Sequence, residues 1–262
     1  MMRHCGLRIG LVGCGRWGKN ILRDLVSLER EVHVVAQDPD SKQNAQEYGA
    51  HEIVEILSML ATDLDGYIVA VPTTSHRDVV EQLIPRGKPI YIEKPLTNDA
   101  ASAERLVELG GDKLFVMDKW RYHPGINAVR EIIHSGSLGP LRTLNLRRRQ
   151  WGSAHADVDP IWVLLPHDLS IVLHLLSDVP EPRFATGLEE GGWLSALTVY
   201  LGGEVPVSIE ISSLSVQKER FLESVFDGGT VTMTDAQPGH LLIRRITGSS
   251  PADGELELQD VG

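Results

Sequence analysis

The sequence predicts an α/β chain in which a doubly wound parallel sheet is followed by an α+β domain with a mostly antiparallel, open sheet. Two observations support this prediction. Over roughly the first 120 residues, short β-branched runs alternate with segments of helical period, which is typical of βαβ units. Beyond Pro124 the chain consists mainly of extended runs joined by turns. At 262 residues it is long enough for two domains, which we place at residues 1–122 and 123–262.

The first domain is expected to alternate strictly between strand and helix. Strands are predicted at 7–12, 31–37, 52–54, 67–71, 89–92 and 114–117. Helices are predicted between them at 19–28, 40–48, 56–61, 75–86 and 98–109. Asn98 and Asp99 can cap the last of these helices, and Gly110-Gly111 ends it.

The second domain is expected to contain two helices and a sheet. One helix runs from Ile126 to His134, and the other from Pro160 to Leu176, with Asp159 as either its N-cap or a catalytic carboxylate. Glycine pairs at 202–203 and 228–229 indicate hairpins. Strands are predicted at 141–149, 193–201, 205–212, 221–226, 230–234 and 241–246. The polar, acidic tail from Ser249 is expected to fray.

A glycine-rich turn follows the first predicted strand directly. The sequence Gly13-Cys14-Gly15-Arg16-Trp17-Gly18 lies between the aliphatic run Ile9–Val12 and a segment of helical period. Gly13 permits a tight turn, Gly15 lets the backbone approach a pyrophosphate, and Gly18 lets the helix pack on the strand. The helix N-terminus offers N–H groups and a positive dipole end to phosphates. The turn therefore predicts a Rossmann dinucleotide-binding domain.

The expected dinucleotide is NAD rather than NADP. A second β-branched run, Val32–Ala36, ends close to Asp38, about 20 residues past the last glycine of the turn. A carboxylate at that position accepts hydrogen bonds from the ribose hydroxyls and repels a 2′-phosphate.

Charge and composition exclude several classes of partner. A net charge of −11 argues against nucleic acid, whose binding depends on clustered Lys and Arg. The one basic run, Arg147-Arg148-Arg149, is either the solvated edge of a strand or a contact to an anionic substrate group. The two cysteines, Cys5 and Cys14, do not suit a disulfide framework and favour a reducing compartment. Without a separate signal-peptide segment or an apolar run of about 20 residues, a cytoplasmic protein with no membrane contact is expected.

Other chemistries have little support in the sequence. No Cys/His cluster has the spacing of a metal site, so no metal is expected, and no Ser-His-Asp order suggests an acyl nucleophile. Trp120 and Trp151 could stack on a sugar, although an isolated tryptophan usually belongs to a core or an interface.

Several motifs occur together in an order that resembles one oxidoreductase family. They are GLVGCGRWGKN at 10–20, VAVPTTSH at 69–76, GKP at 87–89 leading into EKPL at 93–96, RYHP at 121–124, GSLG at 136–139 and PHD at 166–168. On these residues, which span 7 to about 235, the chain resembles the Gfo/Idh/MocA family, named after glucose–fructose oxidoreductase and inositol dehydrogenase. The glycine turn is similar to that of members acting on nucleotide-linked sugars.

The resemblance implies an NAD-dependent transfer of hydride between the nicotinamide and a hydroxyl or keto group of a sugar, sugar nucleotide or polyol. It makes Lys94 the lysine that touches both substrate hydroxyl and cofactor, with a commonly cis bond to Pro95, and His167 the general acid/base. The implied cofactor contacts are Gly13, Gly15, Arg16, Trp17, Gly18, Asp38, Pro72, Thr73, His76, Glu93 and Lys94. The implied substrate contacts are Lys94, Arg121, Arg149 and His167.

The chain departs from the family pattern in two places. The family usually carries aspartate four residues before the catalytic histidine, where this chain has Val163. Members also generally continue into further helices beyond the last strand, whereas this sequence stops at Gly262 as a naturally short protein or a fragment. The alternative function is therefore a catalytically impaired, NAD-binding accessory or regulatory protein. In either case the open sheet is expected to form a homodimer or homotetramer interface.

Overall fold

The computed structural model describes residues 6–153, 158–235, 239–248 and 254–261. The chain divides into two compact units, Met1–Met117 and Asp118–Gly262, called unit 1 and unit 2 below. The sequence-based division lies at residue 122. Within the described ranges, no helix is both long enough and apolar enough to cross a membrane.

Unit 1 is built on a six-stranded, fully parallel sheet. Its strands are β1 (Arg8–Val12), β2 (Glu31–Val35), β3 (Glu52–Val54), β4 (Gly66–Val69), β5 (Ile90–Ile92) and β6 (Leu114–Val116). Their order in the sheet is β3-β2-β1-β4-β5-β6, which reverses direction between β1 and β4. This is the strand order of the Rossmann fold, whose ligands bind at the point of reversal. The predicted strands and the doubly wound sheet are confirmed.

Both faces of this sheet are covered by helices. The helices are α1 (Gly18–Ser27), α2 (Pro39–Glu47), α3 (His76–Leu83) and α4 (Ala100–Gly110). Successive residues of β1 point to opposite faces, so Leu11 and Val12 belong to different hydrophobic clusters. A sheet buried on both faces explains why its strands are continuous aliphatic runs rather than alternating ones.

Two predicted helices of unit 1 are shorter than expected. The segment 56–61 forms only a 3₁₀ turn at Leu57–Met59, because so few residues cannot offset the cost of nucleating an α-helix. The segment 75–86 contains α3 but ends in a 3₁₀ turn at Ile84–Arg86 that includes Pro85, followed by Gly87 at φ 68°. Asp99 is confirmed as the N-cap of α4, since its Oδ1 accepts the Ser102 N–H at 2.8 Å.

Unit 2 contains an eight-stranded sheet. Its strands are β7 (Leu141–Trp151), β8 (Glu181–Glu190), β9 (Trp193–Gly202), β10 (Val207–Ser212), β11 (Leu214–Phe226), β12 (Gly229–Thr234), β13 (His240–Ile246) and β14 (Gly254–Asp260). They are ordered β14-β13-β12-β11-β7-β10-β9-β8. In the part of the chain that the structure describes, β7 and β10 are parallel and the other neighbours antiparallel. The mostly antiparallel sheet and both hairpins are confirmed.

The sequence reading missed the two edge strands of this sheet. Every residue of β8 is exposed, and most of β14 is as well, so neither shows the alternating burial that marks a strand. The predicted fraying of the tail is wrong for 254–260, which pairs with β13, while residues 249–253 lie outside the described ranges. Cys5 also lies outside them.

Within its described residues, unit 2 has two α-helices: α5 (Pro124–Ser135) and α6 (Pro160–Leu176). The bounds of α6 are as predicted, although the side chain of Asp159 does not cap it. The Asp159 Oδ1 instead accepts the N–H of Leu194 on β9 at 2.9 Å, so this carboxylate ties the helix start to the sheet. His123 caps α5, because its Nδ1 accepts the Gly125 N–H at 3.1 Å.

Candidate functional site

The glycine turn between β1 and α1 is held in a shape that side chains would disrupt. Gly13 has φ 93°, donates its N–H to the Val35 carbonyl at 3.0 Å, and would place a Cβ 2.6 Å from the Ala70 oxygen. A Cβ on Gly18 would lie 2.2 Å from the Gly13 oxygen. By contrast, a Cβ on Gly15 would have no atom within 4 Å. Gly13 and Gly18 therefore maintain the fold of the turn, while Gly15 faces open space.

This open space belongs to a cavity at the carboxyl ends of β1, β2 and β4. The cavity, of about 920 Å³, is called the cofactor cavity below. Five of the predicted cofactor contacts line it: Gly13, Gly15, Arg16, Asp38 and Pro72. The remaining six, Trp17, Gly18, Thr73, His76, Glu93 and Lys94, are not among its lining residues. The cavity lies at the reversal point of the sheet, where dinucleotides bind in Rossmann folds.

Asp38 has a second task besides facing the cofactor cavity. It is the N-cap of α2, and its Oδ1 accepts the Ser41 N–H at 2.9 Å. Hydrogen bonds from the Ser41 side chain and backbone hold the pKa of the Asp38 carboxyl below its usual range. The carboxylate is therefore charged at neutral pH, in the state that can accept ribose hydroxyl hydrogen bonds.

The thiol inside the glycine turn is chemically inert. Cys14 is fully buried, and burial raises its pKa to about 11. Its carbonyl oxygen accepts the side-chain amide of Asn44 at 2.9 Å, which links the turn to α2. The thiol is therefore almost entirely protonated at neutral pH and a poor nucleophile.

The Glu93-Lys94-Pro95 segment follows β5 at the same carboxyl edge. The Lys94–Pro95 peptide bond is cis, in agreement with the expectation from the resemblance. The Glu93 Oε2 accepts the Lys94 N–H at 3.1 Å. His76 is almost fully buried here, with its Nδ1 2.9 Å from the Pro95 oxygen and its Nε2 3.0 Å from the Val71 oxygen. His76 thus connects the segments following β4 and β5, and its predicted contact with the cofactor stays a prediction.

In unit 2, His167 lies on α6 next to an aromatic and cationic cluster. Its ring meets the Trp120 ring edge-on, with the centroids 6.4 Å apart. The guanidinium groups of Arg148 and Arg220 lie 4.9 and 5.7 Å from the Trp120 ring centroid. Both distances are within the range of a cation–π interaction. Val163, at the position of the family's aspartate, is buried at 5 % exposure.

Arg148 of this cluster also forms a buried ion pair with Asp168. Arg148 Nε and Nη2 donate to the two carboxylate oxygens of Asp168 at 2.6 and 3.1 Å, and both residues are buried. Desolvation raises the pKa of the Asp168 carboxyl, while the attraction of Arg148 opposes that rise. The pairing of Arg148 with Asp168 could not be predicted from the sequence. The two residues are 20 positions apart in different elements and meet only in the folded unit.

The neighbouring arginines of the same strand are engaged elsewhere. Because side chains alternate along β7, Arg147 and Arg149 lie on the face opposite to Arg148. Arg147 pairs with Glu210 and Glu219, and Arg149 pairs with the same two carboxylates. These ion pairs favour the structural interpretation of the basic run, and the role of Arg149 in substrate binding stays a prediction.

The other expected substrate contact in this unit is Arg121. It is exposed in the 3₁₀ turn Lys119–Tyr122, which also places Trp120 in the core. Its role in substrate binding stays a prediction.

The glycine turn, the cofactor cavity and the order of the strands are those of a dinucleotide-binding Rossmann fold. A family model described as an oxidoreductase family with an NAD-binding Rossmann fold matches residues 7–113. Residues 7–113, nearly all of unit 1, are therefore similar to the NAD-binding Rossmann part of the Gfo/Idh/MocA family.

Relatives and solved structures agree with this assignment. The chain is 32 % identical to an inositol 2-dehydrogenase of Corynebacterium glutamicum over 148 residues, which are 53 % of this chain and 44 % of that protein. It is 29 % identical to an inositol 2-dehydrogenase of Acidothermus cellulolyticus, over 92 % of this chain and 76 % of that one. For several of the curated relatives the matched region is about half of their length.

Two solved structures share the fold over nearly the whole chain. Levoglucosan dehydrogenase in complex with NADH and levoglucosan superposes with a TM-score of 0.86 at 14 % identity, covering 98 % of this chain and 80 % of that one. UDP-N-acetylglucosamine 3-dehydrogenase from Acidithiobacillus ferrooxidans gives a TM-score of 0.83 at 21 % identity, covering 100 % and 84 %. These likenesses show the fold of both units.

Proposed function

We propose that this protein is an NAD-dependent dehydrogenase that oxidises a hydroxyl group of a sugar, sugar nucleotide or polyol, or reduces the corresponding keto group. The observation that carries the proposal is the cofactor cavity, which combines the open approach at Gly15 with the charged carboxylate of Asp38. The relatives named as inositol 2-dehydrogenases support a polyol or sugar as the substrate class.

The open space at Gly15 and the carboxylate of Asp38 fit the pyrophosphate and the ribose of NAD. The approach over Gly15 is open for a pyrophosphate beside the positive dipole end of α1, a ten-residue helix whose Lys19 and Asn20 N–H groups donate to the Gly15 and Trp17 carbonyls of the turn. Asp38 is positioned on the cavity wall to accept the ribose hydroxyls. When bound, the nicotinamide supplies the hydride acceptor of the oxidation.

Lys94 is proposed to stabilise the negative charge on the substrate oxygen, and His167 is proposed to accept the hydroxyl proton. As carbon loses hydride, the hydroxyl oxygen must lose its proton. The Lys94 ammonium would stabilise the negative charge that develops on that oxygen, and the His167 imidazole would accept the proton. The reverse reaction would use the same groups with the proton moving from His167 to oxygen.

The second candidate function is that of an NAD-binding accessory protein without turnover. Val163 favours it, because its aliphatic side chain cannot orient or charge-stabilise the imidazole of His167 as a carboxylate would. In the catalytic proposal the same replacement makes the reaction slow rather than absent.

The experiment is a screen for NADH formation from NAD with inositols, free sugars and nucleotide-linked sugars. One active substrate supports the dehydrogenase, whereas tight NAD binding without turnover across the whole panel supports the accessory protein. With an active substrate, Lys94→Met should lower turnover about 100-fold or more and leave NAD affinity within a few-fold. Lys113→Met, at an exposed position of unit 1, is the matched control and should change neither quantity.

A second pair of variants tests His167 within the same reaction. Val163→Asp should raise turnover by about 10-fold, and His167→Ala should abolish this gain. A melting curve must accompany the rates, because burying an unpaired carboxylate costs several kcal/mol. If Val163→Asp folds well without becoming faster, and His167→Ala leaves the parent rate unchanged, His167 is not the base.

We further propose that the open sheet of unit 2 joins copies of this chain into a homodimer or homotetramer, as the family resemblance implies. Exposed apolar side chains on its outer strands support this: Phe184 and Leu188 on β8 are 62 % and 56 % exposed, and Tyr200 on β9 is 46 % exposed. Sedimentation velocity should show an oligomer that Phe184→Glu weakens. A monomeric parent protein contradicts the interface.

A further inference from the structure

Five titratable side chains meet at the amino-terminal edge of the sheet of unit 1, at the opposite ends of the strands from the cofactor cavity. They are Arg8 of β1, Glu31 and His33 of β2, His51, and Glu52 of β3, and are called the amino-edge cluster below. Glu31 Oε1 is 2.8 Å from His33 Nε2 and 3.7 Å from His51 Nε2, and the two imidazole centroids are 5.2 Å apart.

The buried ring of His33 has a carboxylate on each side. Its Nδ1 lies 2.8 Å from Glu52 Oε2, and its Nε2 lies 2.8 Å from Glu31 Oε1. A neutral imidazole has one donor and one acceptor nitrogen, so one of these two contacts needs a cation: a second proton, a metal ion, or the Arg8 guanidinium, whose Nη2 lies 3.5 Å from His33 Nε2. With Nδ1–H donating to Glu52, the arrangement is the carboxylate–histidine pair found behind metal ligands.

The charge of this edge favours a cation. Glu31, Glu52, Asp63 and Asp65 carry four negative charges against one positive charge on Arg8, a sum of −3 with neutral histidines. The Arg8 Nε donates to Glu31 at 2.9 Å, and its Nη1 contacts Asp63. The Arg8 Nη2 also lies 3.5 Å from His33 Nε2, so a bound ion would have to displace the guanidinium from both Glu31 and His33, and Asp63 would remain as its counter-charge.

We propose that His33 Nε2, His51 Nε2 and Glu31 bind a divalent transition-metal ion of the zinc class at this edge. The three ligand atoms lie within 4.8 Å of one another. A tetrahedral zinc ion with bonds of about 2.0–2.2 Å needs ligand atoms roughly 3.3 Å apart, and the two contacts made by Glu31 Oε1, 2.8 and 3.7 Å, lie on either side of that value. Two imidazoles and a carboxylate are ligands that zinc accepts readily.

The site would be structural rather than catalytic. Glu31 and His33 belong to β2, while His51 directly precedes β3, so the ion would cross-link the beginnings of two adjacent strands. Binding to the folded state alone raises the free energy of unfolding by mass action. The metal would therefore stabilise unit 1 without contacting substrate or NAD.

The test is calorimetric titration of the full chain, prepared without a histidine tag, with zinc chloride. One saturable site is expected. His51→Gln removes a ligand at a position where 60 % of the side chain is exposed, and should weaken zinc binding by about 10-fold or more. His134→Gln, at an exposed histidine of unit 2, is the matched control and should bind like the parent protein.

Melting curves give an independent readout of the same site. Zinc should raise the melting temperature of the parent and of His134→Gln, and should raise that of His51→Gln much less. Absence of saturable zinc binding, or equal affinity in the parent protein and His51→Gln, overturns the proposal and identifies the amino-edge cluster as an ion-pair network alone. Both outcomes are independent of dehydrogenase activity.

Discussion

Replacing the glycines of the β1–α1 turn one at a time separates cofactor binding from folding. In Gly15→Ala the new methyl group meets no atom within 4 Å, and the position is not among those with positive φ. The free energy of unfolding should therefore stay constant or rise by up to about 1 kcal/mol, because alanine restricts the unfolded chain. In Gly18→Ala the methyl group would lie 2.2 Å from the Gly13 oxygen, a backbone atom. The overpacking should cost about 1–3 kcal/mol.

Gly15→Ala should lose NAD affinity while keeping its stability, whereas Gly18→Ala should lose stability. The Gly15 methyl group would occupy the space over which the pyrophosphate approaches the backbone. Losing hydrogen bonds to a charged group costs about 1.5–3 kcal/mol, so NAD should bind roughly 10- to 150-fold more weakly to Gly15→Ala, with an unchanged melting temperature.

Calorimetry with NAD and thermal melts measure both quantities. Gly18→Ala should melt about 2–4 °C lower for each kcal/mol lost. If Gly15→Ala binds NAD as the parent does, the pyrophosphate does not lie over Gly15 and the assignment of the turn is refuted. If Gly15→Ala instead melts at as low a temperature as Gly18→Ala, the claim that a methyl group at position 15 meets no other atom is refuted.

Three further predictions concern charged groups. Asp168→Asn should destabilise unit 2 by about 3–5 kcal/mol in chemical denaturation, because it leaves the Arg148 guanidinium buried without its counter-charge. The double variant Arg148→Met/Asp168→Leu should recover most of that loss. Equal losses of stability in the single and the double variant would contradict this prediction. Asp38→Ser should reduce the difference in binding free energy between NAD and NADP, measured by calorimetry, by about 1–2 kcal/mol. The variant should keep α2 capped, since a serine side chain can also accept the Ser41 N–H. Equal affinities of the parent protein for both cofactors would contradict this prediction. The Asp99 cap lowers the pKa of its carboxyl, so its contribution to stability is present at neutral pH and is lost as pH falls through the ordinary range of an aspartate and below it. Melts of Asp99→Asn between pH 7 and 2 should show a smaller loss on acidification than the parent, and parallel curves would refute the assignment.

Local sequence determined much of unit 1. The turn from Gly13 to Gly18 requires glycine at specific backbone positions, and such requirements are local, so the strand, turn, helix and cofactor class can be predicted without knowing the rest of the fold. The position of Asp38 and the extents of the buried strands are local in the same sense. In unit 2 the start of α6 was predictable from the Asp159-Pro160 pair for the same reason.

Tertiary structure alone decided which distant groups meet. Arg148 differs from its neighbours Arg147 and Arg149 only in strand parity, yet it is the one buried against Asp168. The ring of His76 lies between the carbonyl oxygens of Val71 and Pro95, which follow different strands and meet only in the folded unit.

The edge strands and the amino-edge cluster follow the same rule. Strands β8 and β14 have no burial pattern because each gains most of its order from hydrogen bonds to one neighbour, which the sequence does not encode locally. Glu31, His33 and His51 have no metal-ligand spacing in the sequence, and they converge because parallel pairing brings the beginnings of β2 and β3 side by side. The sequence by itself determined the turn chemistry and the periodicities, since these depend on each residue and its near neighbours. Pairing across the sheets determined the ion pairs and the clusters, since these depend on register between strands far apart in the chain.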